Sequence, residues 1–127
     1  MEAFPGSAPK EEGLSLLKAG KIGEAIARLE QALALDPDDA QVHMYLGAAY
    51  NGVPDKLHAI HHFEESLRLE ENPKAYYNLG LVYESVHRID EAVRQYRMAL
   101  DVDPSYANAQ AALKKLHDGF ETQKQSV

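Results

Sequence analysis

Three sets of landmark residues recur along the chain at the same two spacings, and this internal repeat constrains the fold more than any other feature. Gly13, Gly47 and Gly80 are separated by 34 and then by 33 residues. Alanine takes the same two steps at positions 25, 59 and 92, and leucine takes them at positions 33, 67 and 100. A period in this range is typical of stacked supersecondary units, so the sequence predicts a repeat architecture.

The composition excludes several classes of ligand and site. Of 127 residues, 45% are hydrophobic and 26% are charged, which indicates one globular domain. The net charge of −7 argues against nucleic acid, since phosphate binding needs a basic surface. Without cysteine there is no disulfide and no thiolate metal site. No apolar run approaches the roughly 20 residues that span a bilayer, and no signal peptide is visible, so we expect a cytoplasmic protein without membrane insertion.

The third repeat carries the most detailed pattern. The run Tyr76-Tyr77-Asn78-Leu79-Gly80-Leu81-Val82-Tyr83 is followed by Ala92, Tyr96, Ala99-Leu100 and Asp103-Pro104. This order, Leu-Gly-x-x-Tyr, then Ala, an aromatic residue, Ala-Leu and Pro, resembles the tetratricopeptide repeat (TPR). The resemblance covers about residues 7 to 104. It implies an all-α, right-handed superhelical solenoid of about seven helices.

Breakers and caps predict where each helix begins and ends. Gly20 is a natural stop for the first helix, and Asn72 with Pro73 restarts the chain as cap and first turn. His87 stands where the family often has glycine. The predicted helices after the first are 22–35, 38–51, 55–69, 73–86 and 89–102. The predicted segments are a leader at 1–6, repeats at 7–39, 40–72 and 73–106, a capping helix at 104–122 and a frayed tail at 123–127.

Helical periodicity separates two faces on the first helix of each repeat. At about 100° per residue, His43, Leu46 and Tyr50 share one sector, which packs on the partner helix. In the family the opposite sector lines a concave groove that holds partner peptides. The resulting groove-side residues are Lys10, Leu14, Gln41, Met44, Tyr45, Ala48, Lys74, Tyr77, Asn78, Leu81 and Lys115, and the capping helix extends the face with Asn108, Ala111 and Ala112.

The groove-side residues combine apolar side chains with a polar rim, which is typical of a protein-binding surface. The alternative is that some of them only pack between adjacent repeats. Some TPR co-chaperones hold a heat-shock protein carboxylate there with a clamp of lysines, asparagines and an arginine. Leu14 and Tyr45 replace two asparagines of that clamp and Asn78 replaces its arginine, so half of its donors are missing.

One histidine cluster is a candidate metal site. His58 and His62 are four residues apart on one helix, a spacing that can chelate zinc, and Glu65 follows. These residues lie away from the predicted core, so a solvated helix face is the simpler interpretation. His43 replaces a core aromatic residue and reads as a satisfied, partly buried histidine. Nothing pairs a nucleophile with a base, so we expect neither an enzyme nor a cofactor.

The sequence therefore predicts a non-enzymatic scaffold or adaptor that binds a partner peptide along the groove-side residues. Two alternatives stay open. The stripe of Tyr106, Ala109, Leu113, Leu116 and Phe120 could support self-association into a structural module. The histidine cluster could make the chain a metal-binding module through His58 and His62.

Overall fold

Seven α-helices and no strand make up residues 7–125, the part of the chain that the computed structural model describes. The helices are α1 (Ser7–Lys18), α2 (Ile22–Leu35), α3 (Ala40–Gly52), α4 (Lys56–Leu69), α5 (Pro73–Ser85), α6 (Ile89–Val102) and α7 (Ala107–Gln125). They fall into two compact units, with α1–α4 in unit 1 (Met1–Glu71) and α5–α7 in unit 2 (Asn72–Val127). The predicted leader at 1–6 lies outside the described residues. Across 7–125, none of the helices combines the length and the apolarity that crossing a membrane requires.

Side-chain caps fix the first residues of α3 and α5. Asp39 Oδ1 accepts hydrogen bonds from the amides of Gln41 and Val42 at 3.0 and 3.2 Å. Asn72 Oδ1 accepts from the amide of Lys74 at 2.8 Å, with Pro73 in the first turn of α5. These bonds satisfy amides that have no partner within the helix. The predicted Asn72 cap is confirmed, whereas α3 begins two residues later than predicted because Asp39 is its cap.

The turn from α1 to α2 and the turn from α5 to α6 each contain one residue in the left-handed backbone conformation. Gly20 has φ of 80° and His87 has φ of 62°. The two positions are 67 residues apart, which is the sum of the two repeat spacings. Glycine adopts this conformation without strain, whereas a histidine with a Cβ does not. The prediction that Gly20 ends α1 is confirmed, and His87 takes the conformation of the glycine it replaces.

The last helix differs from the predicted segment at both ends. The Ser105 amide and hydroxyl both donate to Asp103 Oδ1, at 3.1 and 2.8 Å, and this turn delays the helix to Ala107. The predicted start at 104 is therefore wrong. The helix continues to Gln125 rather than ending at 122, because no breaker follows Gly119. Of the predicted tail 123–127, the last two residues lie outside the described residues.

Two glycines let paired helices approach closely. A methyl group on Gly47 would lie 2.8 Å from the Phe63 ring, across the α3–α4 contact. A methyl group on Gly80 would overlap the Tyr96 ring, across the α5–α6 contact, still more severely. Both rings are fully buried, and together with the glycines they form the centre of each helix pair. This is why glycine recurs with the repeat.

Each unit has its own apolar core. In unit 1, Leu29, Ala32, Val42 and Leu46 form a buried cluster. In unit 2 the buried side chains come from α5, α6 and α7, and they are Ala75, Tyr76, Leu79, Val82, Tyr83, Ala92, Tyr96, Ala99 and Ala109. In α3, the buried His43 and Leu46 belong to the sector that periodicity assigned to packing, whereas Val42 and Ala49 extend the buried face beyond that sector. The opposite sector of α3 and α5 has no buried residue and is left for other contacts.

Candidate functional site

A cavity of about 200 Å³ lies on the groove-side face of unit 2, between α5 and α7. Its lining residues are Tyr77, Leu81, Glu84, Asn108, Ala111, Ala112 and Lys115. Tyr77, Leu81 and Lys115 were predicted groove-side residues, and the structure brings them together around one volume. Lys74 and Asn78 lie on the same helix but do not line the cavity.

Tyr77, the aromatic residue that lines the cavity, rests on two other tyrosine rings. The Tyr77 ring lies 5.8 Å from the Tyr96 ring and 5.9 Å from the Tyr106 ring, measured between centroids. Such tilted pairs add to the stabilisation that burial itself provides. Leu81 is 38% exposed, which is high for a leucine in a compact unit. The cavity therefore offers apolar contact that the chain itself leaves unused.

Glu84 at the edge of the cavity is held by the core beneath it. The Tyr96 hydroxyl donates to Glu84 Oε1 at 3.0 Å. Burial, the charge of Glu84 and this hydrogen bond raise the pKa of the Tyr96 phenol. The phenol therefore stays protonated at neutral pH and keeps the carboxylate in place. Across the cavity, the exposed Lys115 supplies the opposite charge.

The groove-side residues of unit 1 are less available. Leu14, Met44 and Tyr45 are only partly exposed, and Tyr45 packs against the cluster that contains Leu29 and Leu46. For Tyr45 the packing interpretation therefore applies at least in part. Gln41 and Ala48 are exposed.

The charge of Lys10 is compensated within unit 1. Its Nζ lies 2.9 Å from Asp39 Oδ2, and both side chains are partly buried, with 28% and 20% exposed. Burial raises the pKa of Asp39, but the hydrogen bonds from Lys10, Val42 and Gln41 and the charge of Lys10 outweigh burial and lower it. Asp39 is therefore ionised and both caps α3 and pairs with Lys10. The sequence pattern missed this pair because its members are 29 residues apart.

The structure contradicts the interpretation of His62 as part of a solvated face. The side chain is buried, and its Nδ1 lies 3.1 Å from Nδ1 of His43. Its ring stacks on Tyr50, which also stacks on His58. His62 lies at the edge of the α4 core stripe next to Phe63, and helix packing turns that edge towards α3. His43 is a buried, hydrogen-bonded histidine, as predicted.

In the candidate metal pair, the Nδ1 atoms of both histidines make other contacts. His62 Nδ1 is bonded to His43, and His58 Nδ1 lies 2.8 Å from Asp55 Oδ2. Within residues 7–125 no group of three or more histidine, aspartate or glutamate side chains is arranged to hold a metal ion. The metal-binding alternative through His58 and His62 stays a prediction.

Two family models match the chain. One, described as TPR repeat, covers residues 13–52, and the other, described as tetratricopeptide repeat, covers residues 73–106. Human Superkiller complex protein 3 is 32% identical over 108 residues, which are 83% of this chain and 7% of that protein. The chain thus spans less than a tenth of the length of this relative.

Solved structures with the same fold cover nearly the whole chain. The first TPR of Spaghetti (RPAP3), bound to the HSP90 peptide SRMEEVD, has a TM-score of 0.86 at 22% identity, covering 95% of this chain and 97% of that one. The Arabidopsis OM64 TPR domain has a TM-score of 0.86 at 25% identity and covers 91% of this chain and 96% of that one.

Proposed function

Because the chain belongs to the tetratricopeptide repeat family, with its all-α helical repeat solenoid fold, we propose that it is a non-enzymatic protein-interaction adaptor. Its ligand is a peptide segment of a partner protein, bound along the groove-side residues. The observation that carries the proposal is the cavity of unit 2, since residues from both α5 and α7 leave apolar surface open there.

The cavity supports a ligand with an apolar anchor. A volume of about 200 Å³ accommodates one aliphatic side chain in contact with Tyr77, Leu81 and Ala112. The exposed Lys115 lines the cavity, and the exposed Lys74 lies three residues before Tyr77 on α5. These two ammonium groups outnumber the Glu84 carboxylate and favour a carboxylate on the ligand next to the anchor. The partner is therefore a peptide that presents an aliphatic residue beside an acidic one.

The relative that binds an HSP90 peptide supports an acidic ligand, but this chain departs from a full carboxylate clamp. Leu14, Tyr45 and Asn78 replace three of the polar clamp residues, and Lys10 is already paired with Asp39 at 2.9 Å. The apolar anchor in unit 2 therefore contributes more to binding than a terminal carboxylate does.

The test is affinity capture from native lysate with the full chain and three variants. The double substitution Tyr77→Ala/Lys74→Ala removes contact surface and charge, and we expect it to abolish partner capture. Ala111→Phe fills the cavity from an exposed position and should do the same without removing a core contact. The control Leu57→Ala/Lys114→Ala changes the same residue classes at exposed positions that do not line the cavity.

Circular dichroism establishes that each variant keeps its helicity. If the Tyr77 and Ala111 variants are folded and still capture the partners of the natural chain, the groove-side face is not the binding site. If the control loses them as well, the capture does not depend on this cavity.

Self-association is a second candidate, favoured by one observation. Phe120 on α7 is 62% exposed, beside an open cavity of about 400 Å³ that Leu113, Leu116 and Ile89 also line. A second copy of the chain that covers this surface would make the protein a dimer. Light scattering over a concentration series tests this, and Phe120→Asp should return the chain to a monomer. A chain that is monomeric throughout contradicts the candidate.

A further inference from the structure

A pair of buried histidines joins α3 to α4 in unit 1, and the proposed function does not use it. His43 and His62 are each 6% exposed, and their Nδ1 atoms are 3.1 Å apart. The other nitrogen of His43, Nε2, lies 2.9 Å from the carbonyl oxygen of Pro37. Two imidazoles in direct hydrogen-bond contact inside a core form an arrangement that depends on their protonation.

The hydrogen bonds fix the tautomers of the neutral pair. A carbonyl oxygen only accepts, so His43 Nε2 carries a hydrogen and donates to Pro37. His43 Nδ1 is then the acceptor, and His62 Nδ1 donates to it. A proton added to His43 Nδ1 would oppose two N–H groups at 3.1 Å unless His62 changed tautomer. A first proton can therefore be added only if His62 changes tautomer or if the proton goes to His62 itself. A second proton would place two positive charges on adjacent buried rings and is strongly opposed.

The surroundings oppose even the first proton. The titratable groups that face His62 are Glu30 from α2, His43 and Tyr50 from α3, and His58, His61 and Glu65 from α4. Burial is the largest effect, and positive charge on His43, His61 or His58 adds to it, so that the pKa of His62 falls to about 4. Glu65 acts in the opposite direction but is weaker.

Glu30 does not reverse this balance. Its Oε1 lies 3.9 Å from His62 Nε2, beyond hydrogen-bond range, and the same oxygen already accepts from the Tyr50 hydroxyl at 3.1 Å. A protonated His62 would therefore be buried without a direct acceptor for its new N–H group.

We propose that the His43–His62 pair is a pH-sensitive contact that holds α3 against α4 while both rings are neutral. Mild acid weakens this contact, because the histidines bind protons more readily once the helices have separated. An unfolded histidine titrates near pH 6.5, so between about pH 4 and pH 6.5 the unfolded chain binds more protons than the folded one. The stability that the neutral pair provides is therefore complete above this window and is lost as the pH falls through it. Between pH 7.5 and pH 5.0, the unfolding equilibrium constant should rise roughly tenfold to thirtyfold.

The repeat itself supplies a matched variant. Thirty-three residues further on, unit 2 has Tyr76 in place of His43 and Gln95 in place of His62, on helices of the same pairing. Neither residue titrates between pH 4 and pH 7. The variant His43→Tyr/His62→Gln therefore gives unit 1 the side chains that the same fold already uses in unit 2. His117→Gln, at an exposed histidine of α7, is the control.

The experiment is urea unfolding of the full chain at pH 7.5 and pH 5.0, for the natural sequence and both variants. We expect the rise in the unfolding constant in the natural chain and in His117→Gln, and a change of less than about threefold in the double variant. An equal rise in the double variant would overturn the proposal.

A second measurement decides the question even if the double variant does not fold. NMR titration of the histidine ring protons in the natural chain follows His62 directly. We expect a His62 midpoint near pH 4, well below the ordinary histidine value of about 6.5. A midpoint at or above about 6.5 would show that the buried pair accepts its proton freely, and the proposal would be wrong.

Discussion

The helix pair α3–α4 of unit 1 and the pair α5–α6 of unit 2 share the same packing at their centres but differ in their polar contacts. Both place a glycine against a buried aromatic ring, Phe63 in the first and Tyr96 in the second. Beside Phe63, unit 1 has its histidine pair, whereas in unit 2 the central ring itself, Tyr96, is hydrogen-bonded to Glu84. The repeat thus conserves shape at its centre and leaves the polar contacts free to differ.

The groove-side faces differ in the same way. At the cap of α3, Asp39 neutralises Lys10, whereas the equivalent cap of α5 is the uncharged Asn72. Asp39 and Asn72 are 33 residues apart, so they occupy one repeat position. In unit 1 the groove-side Lys10 is therefore held in an ion pair within the unit. In unit 2 the groove-side Lys74 and Lys115 are exposed. The comparison predicts how each unit responds to substitution.

The largest effect should come from the glycines. Gly80→Ala forces a methyl group into the Tyr96 ring and should destabilise unit 2 by about 1–3 kcal/mol, even after the better helix propensity of alanine. Gly47→Ala, where the overlap with Phe63 is milder, should cost unit 1 less. Hydrogen exchange resolved by helix measures both. A larger loss for Gly47→Ala would mean that the two centres are not packed alike.

Alkaline pH should act on unit 2 through Tyr96. Burial and Glu84 raise the pKa of the phenol, so above about pH 10 the unfolded chain releases a proton that the folded chain keeps. The stability provided by the protonated phenol is present below that pH and is lost above it. The unfolding equilibrium constant should rise by up to about tenfold for each pH unit. Tyr96→Phe should flatten the dependence when unfolding is followed from pH 9 to pH 11.

The control for that experiment is Tyr50→Phe in unit 1. Burial and Glu30 also raise the pKa of Tyr50, but Tyr50 is more exposed than Tyr96. Removing the Tyr50 hydroxyl should therefore change the dependence of stability on alkaline pH less than Tyr96→Phe does. If the two variants behave identically, the Tyr96–Glu84 contact has no special role.

Replacing Asp39 by asparagine, the residue at the equivalent position 72 of unit 2, should lower the free energy of unfolding moderately. Asp39→Asn keeps an acceptor for the α3 amides but removes the ion pair with Lys10, and should cost about 1 kcal/mol. The loss should shrink at high salt, because screening already weakens the pair in the natural chain. Urea unfolding at low and high salt measures it, with Asn72→Asp as the converse change. A loss that does not depend on salt would contradict an electrostatic origin.

The smallest effect concerns the two left-handed turn residues. His87→Gly removes the strain of a side chain at φ of 62° and should stabilise unit 2 by about 0.5 kcal/mol, since the gain is partly offset by the flexibility of glycine in the unfolded chain. Gly20→His introduces the same strain at φ of 80° and should destabilise unit 1. Unfolding midpoints compare the two. A stabilising Gly20→His would show that the turns are not equivalent.

The fold was predictable because its determinants are local. The repeat spacing, the breaker residues and the Asn72 cap predicted the helices from α2 to α6 to within about two residues at each end. Helical periodicity also predicted that Tyr77 and Leu81 share a face of α5, the family resemblance extended that face to Lys115, and these three residues line one cavity. The superhelical handedness, the repeat boundaries and the cytoplasmic location stay predictions.

The contacts that distinguish the two units were not predictable in the same way. His43 and His62 are 19 residues apart, and their meeting depends on how α3 and α4 are rotated about their axes. Periodicity assigns a side chain to a sector but does not resolve the edge of a sector, which is where His62 lies. Aligning the repeats gives a usable signal, because both members of the pair change together to Tyr76 and Gln95.

The contacts that Tyr77, at the unit 2 cavity, makes with two other tyrosine rings also have an optical consequence. The chain contains seven tyrosines, three weakly fluorescent phenylalanines and no tryptophan, so tyrosine dominates its ultraviolet fluorescence. Three of the seven, Tyr77, Tyr96 and Tyr106, have centroids less than 6 Å apart in two successive pairs, close enough for their electronic transitions to couple. A peptide side chain entering the cavity touches Tyr77 directly and so changes the near-ultraviolet circular dichroism. The protein carries an unlabelled reporter of occupancy at the place where we propose that its ligand binds.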